Sequence, residues 1–438
     1  MTPRSLNVAV IGAGMAGLEA ARELRREGHR VTIYEQSCQL GGTWRYDPRT
    51  ESDPLGLDPD RAVVHSSAYE SLRVNLPRSL MGFLDYPFEG VGDGRWFPWH
   101  GEVLRFLEEF AAEFGLVELI RFGREVVGVG RMGGGGWFVE SRGGGGDLEV
   151  EVETEVFEAV VVCNGKHTEP RIAEFEGREK WVGVQLHSHS YRTPEPFQNQ
   201  IVVVIGAGSS ALDISEEISS VAREVHLATR WPIPQFAGIE DPDRYHQMIK
   251  CAYEDGKVEF EDGSYVYADA IIHCTGYKFH YPFLKTDGIV SVEDNRVGPL
   301  YQHVFPPSAA PWLSFIGLPY RGIVSLIIEL QSRWVAKVLS GEVELPSEED
   351  MLSSVENHYA QMKRTSWPVR HSHNLKQQIH KFGYENWLAA QVGLSPIEKW
   401  REELYFYMFS LYPEGSKYRD ELDVDEWMQE RGYNEGEL

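Results

Sequence analysis

The chain carries the same short glycine-rich pattern twice, and the two copies begin about two hundred residues apart. One copy is VAVIGAGMAG, from Val8 to Gly17, and the other is VVVIGAGSSA, from Val202 to Ala211. In each copy an apolar run rich in Val and Ile ends in a glycine turn, and a helical pattern follows. Such a turn presents backbone N–H groups and the positive end of a helix dipole to a pyrophosphate. The sequence therefore predicts two nucleotide sites in an α/β fold.

The first copy belongs to a complete strand–helix–strand unit. Gly12 permits a tight turn, Gly14 removes a side chain from the path of the phosphate, and Gly17 lets the helix pack against the strand. Glu35 ends the second strand, 18 residues after Gly17, where a carboxylate can accept hydrogen bonds from both ribose hydroxyls. The candidate nucleotide-binding residues of this copy are Gly12, Ala13, Gly14, Met15, Ala16, Gly17 and Glu35.

The second copy differs at two positions that bear on the ligand. Ala211 replaces the last glycine, and the second strand ends in Leu227-Ala228-Thr229-Arg230, without an acid. A guanidinium suits the 2′-phosphate of NADPH, which a carboxylate would repel. We therefore predict FAD at the first copy and NADPH at the second. The candidate residues of this copy are Gly206, Ala207, Gly208, Ser209, Ser210, Ala211 and Arg230.

The order of the patterns predicts a chain that leaves its first domain and returns to it. At 438 residues the chain is long for one core. We expect two Rossmann-like dinucleotide-binding domains, with the NADPH domain inserted in a discontinuous FAD domain. The predicted segments are 1–170, the first part of the FAD domain; 171–276, the connector and the inserted NADPH domain; and 277–438, the second part of the FAD domain.

Weaker patterns complete the expected fold. Antiparallel strands are predicted at Val126 to Arg131, Trp137 to Ser141 and Leu148 to Val152. Residues 166 to 198 are rich in Pro, Glu and Gly and are interpreted as a connector. The acidic run that begins at Tyr418 is interpreted as a solvated tail.

Composition argues against several classes of function. Nucleic acid and anionic membranes would repel a chain with a net charge of −25. The longest apolar stretch, Gly322 to Leu330, is far shorter than the ~20 residues of a membrane-spanning helix, and the first strand begins too early for a signal peptide. Scattered cysteines fit a reducing compartment. We expect a cytoplasmic protein without nucleic-acid or membrane partners.

Neither a redox dithiol nor a metal centre is expected. None of the four cysteines forms a C-x-x-C pair, which argues against a flavin disulfide reductase, a class that also has two nucleotide patterns. The pairs His187-x-His189 and His371-x-His373 have no acidic or Cys partner at a spacing that would complete a zinc site.

A further motif lies between the two glycine patterns and is the stretch most useful for recognising a family. It reads WVGVQLHSHSY, from Trp181 to Tyr191. Further segments are GGTW at 41–44, YESLRVNLPR at 69–78, FPWH at 97–100 and TGY at 275–277. With these segments the chain resembles the flavin-containing monooxygenase family, within the class B flavin-dependent monooxygenases. The family usually has Phe in place of Trp181. The related Baeyer–Villiger enzymes usually have Trp in place of Tyr191, so Tyr191 favours oxygenation of a heteroatom.

The resemblance implies which residues contact the flavin and the transferred oxygen. Gly42, Thr43 and Trp44 match a flavin-contacting loop of the family. Asn75 matches the active-site Asn of the family, which makes it the candidate catalytic residue and a further cofactor-binding residue. Its amide could hydrogen-bond the peroxide or the nicotinamide carboxamide.

Other positions are open to more than one interpretation. His187 and Tyr191 are interpreted as structural or gating residues that position NADP⁺, rather than as acid/base catalysts. Gln331, placed at the start of a helix, either approaches the flavin ring or serves the core or a helix cap. The resemblance places substrate contacts in loops such as Pro232 to Ile239.

Four segments are similar to the plant branch of the family that S-oxygenates thioethers: VHSSAY at 64–69, HSHSYR at 187–192, HCTGYK at 273–278 and ELQS at 329–332. The resemblance implies that FAD reduced by NADPH reacts with O₂ to give a C4a-hydroperoxyflavin, which oxygenates a small thioether to a sulfoxide. Substrate types known for that branch are methylthioalkyl glucosinolates and S-alk(en)yl cysteines. N-oxygenation of an amine or amino acid, and an uncoupled NADPH oxidase on the same scaffold, remain alternatives.

Overall fold

The computed structural model describes residues 4–89, 92–143, 151–230, 241–375, 382–411 and 415–433. The helices in this part of the chain are α1 (Met15–Arg26), α2 (His100–Glu113), α3 (Ser209–Ser219), α4 (Val324–Ser340), α5 (Glu348–Arg364), α6 (Gly383–Gln391), α7 (Lys399–Leu411), α8 (Tyr418–Glu421) and α9 (Val424–Glu430). The strands are β1 (Asn7–Ile11), β2 (Arg30–Tyr34), β3 (Ile120–Arg121), β4 (Arg124–Arg131), β5 (Trp137–Gly143), β6 (Val152–Phe157), β7 (Ala159–Val162), β8 (Glu169–Pro170), β9 (Val184–His187), β10 (Ile201–Ile205), β11 (Glu224–Ala228), β12 (Tyr245–His246), β13 (Ile249–Ala252), β14 (Lys257–Phe260), β15 (Tyr265–Tyr267), β16 (Ala270–His273), β17 (Tyr277–Lys278), β18 (Leu284–Lys285), β19 (Ser291–Glu293), β20 (Arg296–Gly298) and β21 (Leu313–Phe315).

The first parallel sheet has the strand order β21–β7–β1–β2–β3. Its strands β1, β2 and β7 come from the chain before the second glycine pattern, whereas β21 comes from the chain after it. Leu313 of β21 pairs with Val160 of β7, and Phe315 pairs with Val162. Residues on both sides of the insertion therefore build one sheet, which confirms the predicted discontinuous α/β domain.

The second parallel sheet has the order β12–β11–β10–β16–β9. One of its strands, β9, lies inside the stretch interpreted from sequence as connector, and it pairs with β16 along its whole length. Val184 at its start is 57% exposed, whereas His187 at its end is fully buried. A four-residue edge strand is too short to show an alternating pattern, which is why the sequence did not reveal it.

The chain crosses between the two sheets at two places that lie side by side. Strand β8 on the way out pairs antiparallel with β17 on the way back, and Pro170 lies opposite Tyr277. The segment boundaries at 170 and 276 remain a prediction, but both fall at this pair of crossings.

The antiparallel strands expected within the first segment are present as β4, β5 and β6, and β18 of the third segment adds to β4 in parallel. Strands β4 and β5 lie where they were predicted. Most of the strand predicted at 148–152 lies outside the described part of the chain, which omits residues 144–150, and the described strand β6 runs from Val152 to Phe157.

The acidic C-terminal run is not a solvated tail. It forms α8 and α9, and four of its large side chains are buried against the core of the first domain: Tyr418, Val424, Trp427 and Met428. The prediction failed because the charge of the run hides a helical spacing of apolar residues, which places the carboxylates outside and the large side chains inside.

None of the helices in the described ranges is long and apolar enough to cross a membrane.

A buried cluster of charges lies where α4 returns to pack on α1. The Arg22 guanidinium contacts Glu19 at 2.7 Å and Asp85 at 2.8 Å, and Arg22 and Glu19 are almost fully buried. Glu329 of α4 lies 3.8 Å from Arg22 and accepts the Leu84 N–H at 2.6 Å. Burial raises the pKa of Glu19 well above its usual value, and Arg22 opposes that rise. Arg22 therefore neutralises carboxylates from both segments of the discontinuous domain.

We predict that Arg22→Met lowers the free energy of unfolding by about 3–5 kcal/mol, because it removes the cation paired with the buried Glu19 carboxylate. Arg26→Met on the same helix is the matched control. The Arg26 side chain is 43% exposed, and the loss of exposed ion pairs costs only about 0–1 kcal/mol. Urea unfolding followed by tryptophan fluorescence compares the two variants, and equal losses would contradict the role given to burial.

Candidate active site

Two of the three glycines in the first turn are required by the protein itself. Gly12 has a φ of +105°, and a Cβ at this position would lie 2.6 Å from the carbonyl oxygen of Cys163. A Cβ on Gly17 would lie 1.8 Å from the carbonyl oxygen of Gly12. These contacts fix the turn against the end of β7 and fix α1 against the turn.

The middle glycine of the turn has no such explanation within the protein. Gly14 has a φ of −80°, which any residue adopts, and a Cβ there would meet its nearest atom, the Cα of Gly42, at an ordinary 3.6 Å. A glycine that neither backbone nor packing requires fits close approach by a ligand. The turn therefore fits a bound pyrophosphate.

Glu35 and the predicted flavin-contacting loop at 42–44 meet at the first glycine turn. The Glu35 carboxylate accepts the Ala13 N–H at 2.8 Å and the Ser37 N–H at 2.9 Å, so it fixes the turn and retains lone pairs for ribose hydroxyls. The Gly41 N–H donates to the Ala13 carbonyl at 3.0 Å. The following residues 42–44 form a short 3₁₀ turn beside it. The structure thus brings the first glycine turn, Glu35 and the 42–44 loop together.

The second glycine turn repeats the geometry of the first. Gly206 has a φ of +133°, and a Cβ there would lie 2.4 Å from the carbonyl oxygen of Cys274, which follows β16. Gly208 is again the middle glycine, with a φ of −88°, and a Cβ there would meet no atom within 4 Å. Ala207 and Gly208 are exposed, whereas Ala211 is buried where α3 packs on its sheet. This turn also fits a pyrophosphate at its open backbone.

Arg230 lies exposed just after β11, and other cations lie near it. Burial lowers the pKa of the Arg171 guanidinium, and the charges of Arg370 and Arg230 lower it further. The same arginines lower the pKa of His371 after burial. Charges from the inserted segment and from the third segment therefore form a positive region beside the second turn, which suits an anion.

A cavity of about 430 Å³ lies beside the second glycine turn. The first segment contributes Asn75, the inserted segment contributes residues 208–210, and the third segment contributes residues 320–322. Tyr405, Phe409 and Met408 of α7 form an apolar wall. The described lining contains no Asp or Glu, and Arg321 is its one permanently charged residue. All three segments therefore meet around one cavity.

The Asn75 side chain is held by residues that are remote in sequence. Its Oδ1 accepts a hydrogen bond from Nη2 of Arg419, and the same Nη2 lies 2.9 Å from both carboxylate oxygens of Asp213. Sequence reasoning missed Arg419 because it lies in the acidic run interpreted as a tail. The buried aromatic spacing of that run was the one available signal.

The motif from Trp181 to Tyr191 makes packing contacts and hydrogen bonds that fix the local backbone. A Cβ on Gly183 would lie 2.1 Å from the Trp181 ring, so the glycine makes room for the indole. Nδ1 of His187 accepts the His189 N–H at 3.0 Å, and its Nε2–H donates to the Gly276 carbonyl at 2.9 Å. Burial lowers the pKa of His187 to about 3. A neutral imidazole with both nitrogens bonded to backbone groups positions Gly276, which lines the cavity.

The positions of Tyr191 and Gln331 in the structure bear on two further interpretations made from the sequence. Tyr191 is buried away from the lining of the cavity; its hydroxyl donates to Glu217 at 2.7 Å. Gln331 lies in the third turn of α4, not at its start, and is fully buried. It accepts the Gly317 N–H at 2.9 Å and donates to the Tyr384 hydroxyl at 2.8 Å, as a core residue does. The suggested substrate loop at 232–239 lies outside the described residues.

The pattern that describes the flavin-binding monooxygenase-like family matches residues 5–238 and 245–399. The chain belongs to this family, and the protein is a flavin monooxygenase. This membership confirms the predicted class of enzyme, and the predicted cofactors, FAD and NADPH, agree with it.

Three known proteins illustrate the similarity. The Arabidopsis thaliana flavin-containing monooxygenase FMO GS-OX5 is 49% identical over 431 residues, covering 96% of this chain and 92% of that protein. The structure of S-allyl-L-cysteine S-oxygenase from Allium sativum is 47% identical, with a TM-score of 0.92 and 98% of each chain covered. A structure of OTEMO with FAD and NADP shares the fold at 15% identity, with a TM-score of 0.55 over 83% of this chain and 92% of that one.

We predict that Gly208→Ala raises the KM for NADPH by about tenfold, because a methyl group would stand where charge-assisted hydrogen bonds of about 1.5–3 kcal/mol form. FAD content and the thermal unfolding midpoint should stay unchanged, since the new Cβ meets no atom of the described protein. Gly133→Ala, an equally open position in the hairpin between β4 and β5, should leave the KM for NADPH as it is. An unchanged KM in the Gly208 variant would contradict the site.

Proposed function

We propose that the protein transfers one oxygen atom of O₂ to the sulfur of a small thioether that carries a carboxylate or a sulfate, and releases the sulfoxide. The observation that carries this proposal is the cavity itself. Asn75, the second glycine turn and the Arg321 side chain all line one space whose described walls hold no carboxylate. A nicotinamide, a reacting oxygen and a substrate with a negative group can meet there.

The charges beside the two turns support the allocation of the nucleotides. Glu35 at the first turn suits the ribose hydroxyls of FAD and would repel a phosphate. Arg230 at the second turn, with Arg171 and Arg370 close enough to affect the pKa of their neighbours, suits the 2′-phosphate of NADPH. The sign of the charge at each ribose position is therefore the reason for placing FAD at the first turn and NADPH at the second.

Bound FAD and NADPH supply the redox chemistry and the activation of O₂ that no side chain of this protein can perform. The residues of the chain bind, orient and keep the site dry. Met408 and the aromatic rings of Tyr405 and Phe409 exclude water from one side of the cavity, which protects a reactive oxygen from hydrolysis. The Asn75 amide supplies a hydrogen bond where charge develops on oxygen.

Arg321 supports sulfur, rather than an amine nitrogen, as the oxygen acceptor. It is exposed, adopts a φ of +69°, and its guanidinium lies 5.6 Å from the centre of the Phe409 ring. A cation at the cavity attracts a carboxylate or a sulfate, and the described lining offers no carboxylate that would hold an amine nitrogen as the oxygen acceptor. Methylthioalkyl glucosinolates and S-alk(en)yl cysteines both combine a thioether with an anionic group, and the garlic relative is an S-allyl-L-cysteine S-oxygenase.

The test of the proposal compares products with NADPH consumed. The FAD-loaded protein is mixed with NADPH, O₂ and S-allyl-L-cysteine, and sulfoxide and H₂O₂ are measured per NADPH oxidised. We expect close to one sulfoxide per NADPH. Peroxide without sulfoxide, for this compound and for a methylthioalkyl glucosinolate, would instead identify an NADPH oxidase. An N-hydroxylated product from an amine would identify an N-oxygenase.

Replacement of Asn75 tests its role in oxygen transfer. Asn75→Ala should keep FAD and its rate of reduction by NADPH, because the residue lies at neither glycine turn. The yield of sulfoxide per NADPH should fall by about 10²-fold, as expected when one hydrogen-bond donor to a developing negative charge is lost, and H₂O₂ should take its place. Undiminished sulfoxide would remove Asn75 from the mechanism. The rate of flavin reduction, measured in the same samples, serves as the internal control.

Arg321→Met tests the charge of the substrate. For a thioether with a carboxylate or a sulfate, kcat/KM should fall by about 10- to 100-fold, which corresponds to the loss of a charged hydrogen bond of about 1.5–3 kcal/mol. For thioanisole, a neutral thioether, kcat/KM should be unchanged, and Arg321→Lys should retain most of the activity on the anionic substrate. A similar loss with both thioethers would mean that Arg321 shapes the cavity and does not select an anion.

A further inference from the structure

The C-terminal run contacts Asn75, a residue of the cavity lining, through the side chain of Arg419. Arg419 belongs to the four-residue helix α8 and is only 7% exposed. Its Nη2 donates to Oδ1 of Asn75, which is 344 residues away in sequence, and to Asp213 at 2.9 Å. Asn75 belongs to the first segment and Asp213 to α3 of the inserted domain, so one guanidinium joins all three segments.

The chemistry of this contact determines which end of the Asn75 amide faces the cavity. An Asn side chain has one accepting oxygen and one donating NH₂, whereas a guanidinium has donors alone. The oxygen of Asn75 must therefore face Arg419. The NH₂ is left for the cavity, and within the described residues no protein group accepts a hydrogen bond from it.

We propose that Arg419 is a positioning residue, which holds the Asn75 amide so that its NH₂ donates to the oxygen being transferred, and that Asp213 holds Arg419 in place. This inference rests on the proposed function, because it assigns Asn75 the donor role described above. Without Arg419 the amide could rotate and present its oxygen, and an acceptor facing a developing negative charge would destabilise it.

The surroundings of Arg419 favour a fixed and charged guanidinium. Burial opposes its charge, but the adjacent Asp213 carboxylate raises the pKa of Arg419 above its usual value. Asp213 is itself held by the Tyr69 hydroxyl, which donates to it at 2.9 Å. A buried pair of opposite charges with further hydrogen bonds resists rotation, because breaking it leaves an uncompensated charge.

Other contacts attach the run and the residues just before it, and one of them provides a control. Arg73 donates to Oδ1 of Asp420 at 2.6 Å and to the Arg419 carbonyl at 3.1 Å. Ser416 donates to Glu216 of α3 from its N–H at 3.0 Å and from its hydroxyl at 2.8 Å. These contacts anchor the run without touching Asn75. If Arg419 served as an anchor alone, the loss of Arg73 should have the same effect as the loss of Arg419.

The experiment is a double-mutant cycle between Arg419→Met and Asn75→Ala, with Arg73→Met as the matched control. Two properties are measured: the yield of sulfoxide per NADPH oxidised, and the urea midpoint of unfolding, which requires no turnover. We expect Arg419→Met to lower the yield by about 10- to 100-fold, the cost of a small misplacement at a reacting group, with the KM for NADPH unchanged. In the Asn75→Ala background it should lower the yield no further, and the two shifts in urea midpoint should not add.

Arg419→Lys distinguishes geometry from charge. It keeps a cation beside Asp213 but lacks the rigid plane of the guanidinium, which fixes the direction in which Nη2 donates to Asn75, so the yield should stay low while the urea midpoint largely recovers. If Arg419→Met does not retain FAD, the Lys variant carries the test.

Three results would overturn the proposal. One is a fall in yield that is equally large in the Asn75→Ala background, another is the same fall in Arg73→Met, and the third is full recovery of the yield in Arg419→Lys. A wild-type protein that makes no sulfoxide would refute the proposed function instead. The urea midpoints would still show whether Arg419 and Asn75 are coupled.

Discussion

The architecture depends on a close approach of a glycine turn to a neighbouring backbone carbonyl, which occurs once in each of the two parallel sheets. The turn after β1 contacts the carbonyl of Cys163, and the turn after β10 contacts the carbonyl of Cys274; a Cβ on Gly12 or Gly206 would lie 2.6 or 2.4 Å from these oxygens. Because glycine permits both contacts, the first turn of α1 and that of α3 begin directly above the carboxyl edges of their sheets. Each sheet thereby presents helix N–H groups at the edge where ligands of open α/β sheets bind.

The third segment turns these two edges into one site. Strand β21 completes the first sheet and α4 packs on α1, with Arg22 and Glu329 buried at their contact. The third segment also supplies to the cavity residues 320–322, which lie between β21 and α4, and the wall of α7. A domain whose second half arrives after the insertion can thus place residues beside the turn of the inserted domain.

Features that depend on local spacing could be predicted from the sequence, whereas features that depend on contacts between remote residues could not. The two turns, the acid at Glu35 and the return of the chain follow from patterns in which the residues that act together lie close in sequence. Strand β9 is too short to show a period, and Gln331 was placed at the wrong point of its helix because the start of α4 carries no capping residue that hydrogen-bonds its first turn. Arg419 lay in a run whose charge concealed its buried face. Its two partners are 206 and 344 residues away, a distance that no local pattern records.

The contacts of Arg419 with Asp213 and Asn75 link the helix at the second glycine turn to the Asn75 amide. Asp213 lies one turn after Ser209, where α3 begins at the second glycine turn. The helix that would bind the NADPH pyrophosphate at its N-terminus therefore also holds the guanidinium that holds Asn75. A displacement of α3 would act on Arg419 through a buried ion pair, and such a pair breaks at a high free-energy cost. In the proposed function Asn75 donates to the oxygen being transferred, and this donor would then be oriented only when the domain of the second glycine turn is in place.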